Sequence, residues 1–292
     1  MALPARLKAA GRLGPRSRAY ARHVWQKIAA LTLGAVFVSE PGRAIRRSLA
    51  RFRRPAPPPA LKLGLVAHLY YIDLLPEILE CRAQLPAGSR LHLTVPEDRI
   101  EQARQAVGET PDVVLHPSRN RGRDIGPFMA LLNAGAFEPY DAVLKLHTKR
   151  SPHLLDGEIR RRLLFTMLAG ELHATRRLLA SFENPQTGLV GWEACYRQAP
   201  PYWMGNEARV RVIAERMGVP AAQLRLGFFE GSMFWFRPTA LARLRDLRLS
   251  WEDFEPEAGQ LDGTLHHALE RCFTIAAWAD GFSVRDLDGR LM

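Results

Sequence analysis

Cysteine is scarce and poorly placed for any covalent framework. The three present, Cys81, Cys195 and Cys272, lie far apart. An odd number leaves one thiol outside any disulfide scheme, and no two share metal-ligand spacing. A disulfide-stapled secreted domain and a zinc ribbon are thereby excluded, and a reducing compartment is the simpler reading. A long hydrophobic run is also missing. The longest, Ile28 to Val38, has eleven residues, against roughly 20 for a helix that spans a bilayer. Its long basic approach, with no small-x-small pattern after Val38, points away from a signal peptide. There is no P-loop, nucleophile elbow or internal repeat.

Net charge is unevenly spread. The whole chain carries +11, but residues 1–54 hold thirteen Lys/Arg against one acid, Glu40. The remaining residues hold twenty-eight Lys/Arg and twenty-nine Asp/Glu, a balance of −1. The excess is an N-terminal arm on a nearly neutral body. Such an arm suits an anionic surface, whereas a body without a basic face argues against nucleic acid as partner. Between Ala44 and Arg54, Ile45, Leu49 and Phe52 share one helical face and arginines fill the rest, which suits anionic headgroups; a basic tail without fixed structure is the alternative. The division expected is an arm over 1–54, a stiff Pro-rich linker over 55–60, and one domain over 61–292.

The body alternates strand and helix patterns. Strands are predicted over Leu61–Tyr71, Leu91–Val95, Val113–His116, Asp141–His147, Gly188–Gly191 and Phe228–Phe236. Helices are predicted over Leu74–Leu85, Asp98–Val107, Pro127–Ala134, Ile159–Phe182, Val210–Met217, Thr239–Leu247 and Thr264–Ala277. This alternation predicts an α/β fold, a mainly parallel central sheet with helices on both faces. Ligands of such sheets sit at the carboxyl ends of strands.

Two charged blocks fall at such ends. In Asn120-Arg121-Gly122-Arg123-Asp124-Ile125-Gly126-Pro127-Phe128, two guanidiniums and a carboxylate precede a helix. Arg121 and Arg123 suit phosphate oxygens, and Gly122 and Gly126 would admit close backbone approach. Asp124 reads either as a helix N-cap or as an acceptor for ligand hydroxyls or a nucleobase, its pKa lowered by the two arginines. In Lys145-Leu146-His147-Thr148-Lys149-Arg150-Ser151, Lys145, His147 and Lys149 alternate onto one side of a strand, where they would stabilise a departing diphosphate. Two further carboxylates are candidate bases: Glu230, in Phe229 to Arg237, and Asp262, which opens a helix and is also a plausible N-cap. His266 and His267 are adjacent and diverge on a helix. Asp286-Leu287-Asp288 has the spacing of a metal-binding pair, but no strand precedes it and it reads as a turn.

Four segments together, Asn120–Phe128, Lys145–Ser151, Gly231–Arg237 and Asp262–Arg271, resemble the rhamnan synthesis protein F family of bacterial surface-polysaccharide assembly. The resemblance covers about residues 61–280. It implies a GT-A-like nucleotide-sugar-binding fold and transfer of a sugar, typically rhamnose, from a nucleoside-diphosphate donor such as dTDP-rhamnose to a glycan or lipid-linked acceptor. Many such enzymes hold Mg²⁺ or Mn²⁺ on an Asp-x-Asp at the end of a central strand. Here Lys145-Leu146-His147 stands in that place, so cations would replace the metal, although Asp124 or Glu230 could still ligate one. The expected protein is a cytoplasmic glycosyltransferase, peripheral on the inner face of the membrane. Arg121, Arg123, Lys145, His147 and Lys149 would grip the donor diphosphate, with Asn120, Gly122 and Asp124 orienting the donor. Asp262, with Glu230 as rival, would be the base. The alternative is a non-catalytic sugar-nucleotide or glycan-binding component of the same assembly.

Overall fold

The computed structural model describes residues 32–50, 60–148, 150, 157–170, 175 and 178–292. The chain divides into two compact units, residues 1–53 with 150–163, and residues 54–149 with 164–292. In the first unit residues 32–38 are helical, and a second helix, α1, runs from Glu40 to Ala50. Gly34 lies against Ile159 and Leu163, where an added Cβ would meet Leu163 Cδ1 at 2.8 Å. Val38 is buried, while Leu33, Val36 and Ile45 face solvent. Phe52, the proposed partner of Ile45 on an apolar face, and residues 55–59 of the linker lie outside the described residues. Among those described, no helix is long and apolar enough to cross a membrane.

The second unit is α/β. Its strands are β1 (Leu63–His68), β2 (Arg90–Pro96), β3 (Val113–Ser118), β4 (Ala142–His147), β5 (Thr187–Val190), β6 (Tyr196–Arg197), β7 (Phe228–Phe229), β8 (Phe234–Phe236) and β9 (Ser283–Arg285). Its helices are α2 (Leu75–Ala83), α3 (Ile100–Val107), α4 (Ile125–Asn133), α5 (Gly157–Ala169, shared with the first unit), α6 (Glu207–Arg216), α7 (Ala242–Asp246) and α8 (Leu265–Ala279). Seven strands form one sheet in the order β3-β2-β1-β4-β8-β5-β9. It is mostly parallel, with β8 antiparallel to both neighbours, β4 and β5. The arrangement is consistent with a GT-A-like fold. Strands β6 and β7 form a separate two-stranded ribbon.

The central strands β1 and β4 are buried along their whole length, as expected of parallel strands covered on both faces. Val66, Val143 and Phe236 face one core with α4, α6, α7 and α8; Leu65, Leu91, Leu144 and Trp235 face the other with α2, α3 and α5. Phe128 of α4 stacks on Phe137 and meets Phe236 and Phe273 edge-on, at centroid separations of 5.4–5.5 Å. Trp235 is fully buried and donates its indole N–H to the Leu168 carbonyl, so its polar edge is satisfied in the core.

Several expected elements differ. The single strand over Phe228–Phe236 is two, β7 and β8, belonging to different sheets. Gly231 and Ser232 between them have φ of +89° and +54°, left-handed values that no continuous strand adopts. The helix expected over Ile159–Phe182 is interrupted: α5 ends at Ala169, residues 175 and 178–180 are helical again, and a 3-10 turn occupies Ser181–Glu183. A strand, β9, does precede Asp286, against expectation; it is short and pairs with β5. Asp286 does sit in a turn, accepting the amides of Asp288 and Arg290.

Phe128→Ala should cost about 3–5 kcal/mol of unfolding free energy, the usual range for an aromatic removed from a core. Urea denaturation of the full chain gives the value, and a loss below about 1 kcal/mol would mean that this aromatic cluster does not organise the core.

Candidate functional site

Alternation along β4 turns Lys145 and His147 to the same side as Val143, toward α4 and α8. Register places His68 of β1 directly beside His147, and Thr94 of β2 beside His68. The carboxyl ends of the three strands therefore present a row of polar groups under the start of α4. All of them are buried, so each needs a partner.

Asp124 supplies the central one. Its Oδ2 accepts from Lys145 Nζ at 2.6 Å and lies 3.2 Å from His147 Nδ1. Lys145, only 1% exposed, also donates to the Ser232 carbonyl and hydroxyl, each at 2.9 Å. Its ammonium lies 5.3 Å from the Phe128 ring centroid and 5.9 Å from that of Phe273. Three acceptors match the three donors of an ammonium. His68 Nδ1 meets Thr94 Oγ1 at 3.0 Å. Thr148, next along from His147, accepts the amides of Tyr70 and Tyr71 and donates to the His68 carbonyl, tying the β1 exit to β4.

The electrostatics follow from burial. Desolvation alone would raise the Asp124 pKa, but His147 and Lys145 outweigh it and hold the carboxyl well below the usual range. The arginines expected to do this do not touch it. Arg121 reaches the Phe254 carbonyl, and Arg123 engages Glu257 and the Gln260 carbonyl. Burial, opposed by Asp124 and reinforced by His147 and Lys145, pushes His68 down to about 4. Asp124 stands at the N-cap position of α4 but makes no side-chain cap hydrogen bond, because its oxygen points to the strand instead.

The flanking glycines serve packing. A Cβ on Gly126 would lie 2.2 Å from the Arg121 carbonyl oxygen, and one on Gly122 would meet the Phe254 ring at 2.5 Å. Asn120 is exposed, and Lys149 lies outside the described residues.

The two candidate bases lie on other loops. Asp262 accepts from Gly205 N at 2.7 Å on one oxygen and from Asn206 Nδ2 at 2.5 Å on the other. Burial would raise its pKa, but these hydrogen bonds lower it. It does not cap α8; Thr264 holds that position, and the Leu265 amide is taken by Glu255. Glu230 pairs with Arg197 at 2.7 Å and is half exposed. It stands two residues before Ser232, the acceptor of Lys145. His266 and His267 do not diverge: their ring centroids are 4.2 Å apart, and both rings meet Thr264 Oγ1. Burial first pushes both down to about 4, with His267 and Arg123 adding for His266, and Arg123 and Arg271 for His267.

Residues 47–282 match the family described as Rhamnan synthesis protein F. The chain belongs to this family. It is also 32% identical over 228 residues to a protein described as "Uncharacterized protein WxcX" in two strains of Xanthomonas campestris pv. campestris. That alignment covers 78% of this chain and 33% of the relative, so the chain spans about a third of the length of the relatives it matches.

Within this rhamnan synthesis F-family unit, the gathered residues do not suit a divalent cation. The Asp124 oxygen that faces the cluster is held by an ammonium at 2.6 Å, a charge that would repel a metal from the same carboxylate. Among the described residues no three His, Cys, Asp or Glu side chains come together as a metal cluster. Ser232, His68, Thr94 and Glu257 were missed in the sequence. Only strand register brings His68 to His147, and the one cue was that His68, like His147, ends an apolar strand.

Lys145→Met should destabilise the unit by about 2–4 kcal/mol, because it strands the part-buried Asp124 carboxylate without its closest partner. Adding Asp124→Leu to it should recover part of that loss. A double mutant as unstable as the two single losses summed would show that the pair is not coupled. His68, titrating near 4 when folded and near 6.5 when unfolded, contributes stability above the unfolded value that is lost as pH falls from about 6.5 toward 4. His68→Gln should make the urea midpoint fall less steeply across that window, where His266 and His267 also contribute; an unchanged slope would mean His68 titrates normally in the fold.

Proposed function

We propose that this chain is a glycosyltransferase of polysaccharide assembly, moving a sugar, rhamnose from dTDP-rhamnose being the leading donor, onto a glycan or lipid-linked acceptor. One observation carries the reading: an ionised, largely enclosed Asp124, its side chain 15% exposed, held between Lys145 and His147 at the carboxyl ends of β4 and β1. Arg121 and Arg123 stand just before it in the chain. Family membership supports involvement in rhamnan and polysaccharide synthesis.

In this mechanism Arg123 and Arg121 exchange their present partners, Glu257 and the Phe254 carbonyl, for donor phosphate oxygens. A guanidinium suits that exchange because its planar fork matches phosphate geometry. Asn120 and Asp124 accept from donor hydroxyls or the base. Asp124 is fit for this because its neighbours keep it ionised. Lys145 is a positioning residue that fixes Asp124 and the Gly231–Ser232 turn, while His147 is the proposed contact to the leaving group, a role in which Lys149 is its candidate partner. An acceptor hydroxyl attacks the anomeric carbon as the bond to the diphosphate oxygen breaks, in a single inverting displacement. The cations offset the charge that develops on the leaving diphosphate. Glu230 takes the hydroxyl proton. Asp262, with both oxygens engaged and its pKa lowered, is the weaker base of the two. The enzyme would work in the cytoplasm, with the basic arm of residues 1–54 against the anionic inner face of the membrane.

A second reading, a non-catalytic sugar-nucleotide or glycan-binding component, is favoured by one feature: each candidate base is already engaged, Glu230 with Arg197 and Asp262 with the 205–206 amides.

The full chain, given dTDP-rhamnose and a rhamnose-terminated acceptor with and without chelator, should release dTDP at equal rates in both. Glu230→Gln should lower kcat roughly a hundredfold with donor KM unchanged, and Arg123→Gln should raise donor KM about tenfold. Donor binding without turnover across a panel of nucleoside-diphosphate sugars would favour the non-catalytic reading. Full activity in Glu230→Gln would remove it as the base.

A further inference from the structure

Exposed apolar side chains concentrate in the first unit. Of the eight large hydrophobic side chains that face solvent among the described residues, three lie between positions 33 and 45: Leu33, 70% exposed, and Val36 and Ile45, each 61% exposed. They stand on two consecutive helices. In the helix over 32–38, Gly34 and Val38, four residues apart, form the buried side, and Gly34 lies against Ile159 and Leu163 of α5. Thr32, Leu33 and Val36 are exposed. In α1, Pro41, Ala44, Ile45 and Ser48 are all exposed, at the i, i+3, i+4, i+7 spacing of one helical stripe. None of these exposed residues carries a charge.

The elbow between the helices is fixed by its own hydrogen bonds. The Ser39 hydroxyl donates to the Val36 carbonyl at 2.6 Å and accepts the Gly42 amide at 3.2 Å. One side chain thus closes the first helix and caps the second. A Cβ on Gly42 would lie 2.2 Å from the Val36 carbonyl oxygen, so the close approach needs glycine. An apolar surface held in this way and turned to water is of the kind that marks an interaction site.

Charge selects the occupant. Residues 1–54 hold thirteen Lys/Arg against one acid, Glu40, so the partner must be anionic. A nucleic acid would meet that charge, but its phosphate-lined exterior gives an apolar stripe nothing to bury against. An anionic bilayer uses both features, headgroups for the basic residues and the edge of the acyl region for the aliphatic ones. The helices are too short to cross it.

We infer that the exposed faces of these two helices dock on an anionic bilayer, with Leu33, Val36 and Ile45 entering the boundary between headgroups and acyl chains, roughly 5–10 Å deep. The inference rests on the peripheral placement in the proposed function and not on the transfer reaction. It adds an apolar anchor to an arm placed there by charge alone. Attachment then outlasts salt, because ions screen the charges and leave apolar burial intact.

The test is co-sedimentation of the full chain with phosphatidylcholine vesicles, with and without phosphatidylglycerol, at low and high sodium chloride. The chain should bind the vesicles that contain phosphatidylglycerol and keep part of that binding at high salt. Ile45→Lys adds positive charge, yet it should weaken binding about tenfold, the scale of one aliphatic side chain returned to water. Leu33→Ser with Val36→Ser should remove the salt-resistant part and leave the low-salt part. All three side chains face solvent, so the fold is spared. Tighter binding by Ile45→Lys, binding that high salt removes entirely, or no binding to phosphatidylglycerol vesicles would overturn the inference. So would self-association without vesicles, or binding to duplex DNA, that the serine substitutions abolish; the stripe would then be a contact between copies or with nucleic acid. The two readings fail separately. Donor turnover by a chain that ignores vesicles would remove the docking faces and leave the transferase. Salt-resistant vesicle binding by a chain that turns over no donor would do the reverse.

Discussion

The buried ion pair between Lys145 and Asp124 is the contact on which the arrangement of this site depends. An ammonium 1% exposed has no water to fall back on, and isolation there would be costly. It is matched by one carboxylate oxygen and two oxygens of Ser232. These three bonds join the end of β4, the start of α4 and the turn between β7 and β8. Removing any one would leave a charge or a dipole unpaired in the core, so the three segments are fixed together. His147 and His68, beside them in register, inherit that position.

The loops around this centre are held differently, by side chains that bind backbone. Asp262 takes the Gly205 amide, Glu255 takes the Leu265 amide, Glu257 takes the Arg123 amide, and Arg271 donates to the Tyr202 carbonyl. Such contacts set loop position without a ladder of regular hydrogen bonds. They also leave the ends of Arg121 and Arg123 against carbonyls and a partly exposed carboxylate. Partly exposed ion pairs are weak, so these guanidiniums can change partner at small cost, whereas Lys145 cannot. The rigid cation sets the geometry of the cluster, and the outer guanidiniums stand apart from it.

Much of the fold was legible because the central strands are uniformly apolar and the helices keep their period. The elements from β1 to β4 fall where alternation puts them, within a few residues at each end. The failures share a cause. In Phe228–Phe236 the apolar pattern is continuous, and only the left-handed backbone at Gly231 and Ser232 divides it. β9 has three residues and gains its order from β5. For Asp124, the sequence offered the nearest charges along the chain, Arg121 and Arg123, but Lys145, twenty-one positions away, was the partner.

By itself the sequence determined the class of fold, the concentration of positive charge in residues 1–54, and the two short blocks whose charges, Asp124, Lys145 and His147, meet in the core. Each of these depends on local pattern: period, composition and charge count. The tertiary structure alone decided which charge meets which. Parallel register set His68 beside His147, a crossover brought Asp124 over Lys145, and loop packing turned Asp262 from a helix cap into a clasp between two loops. Those pairings join groups from 21 to 79 residues apart in the chain. They are set by burial, which makes each polar group find whatever partner the packed core leaves within reach.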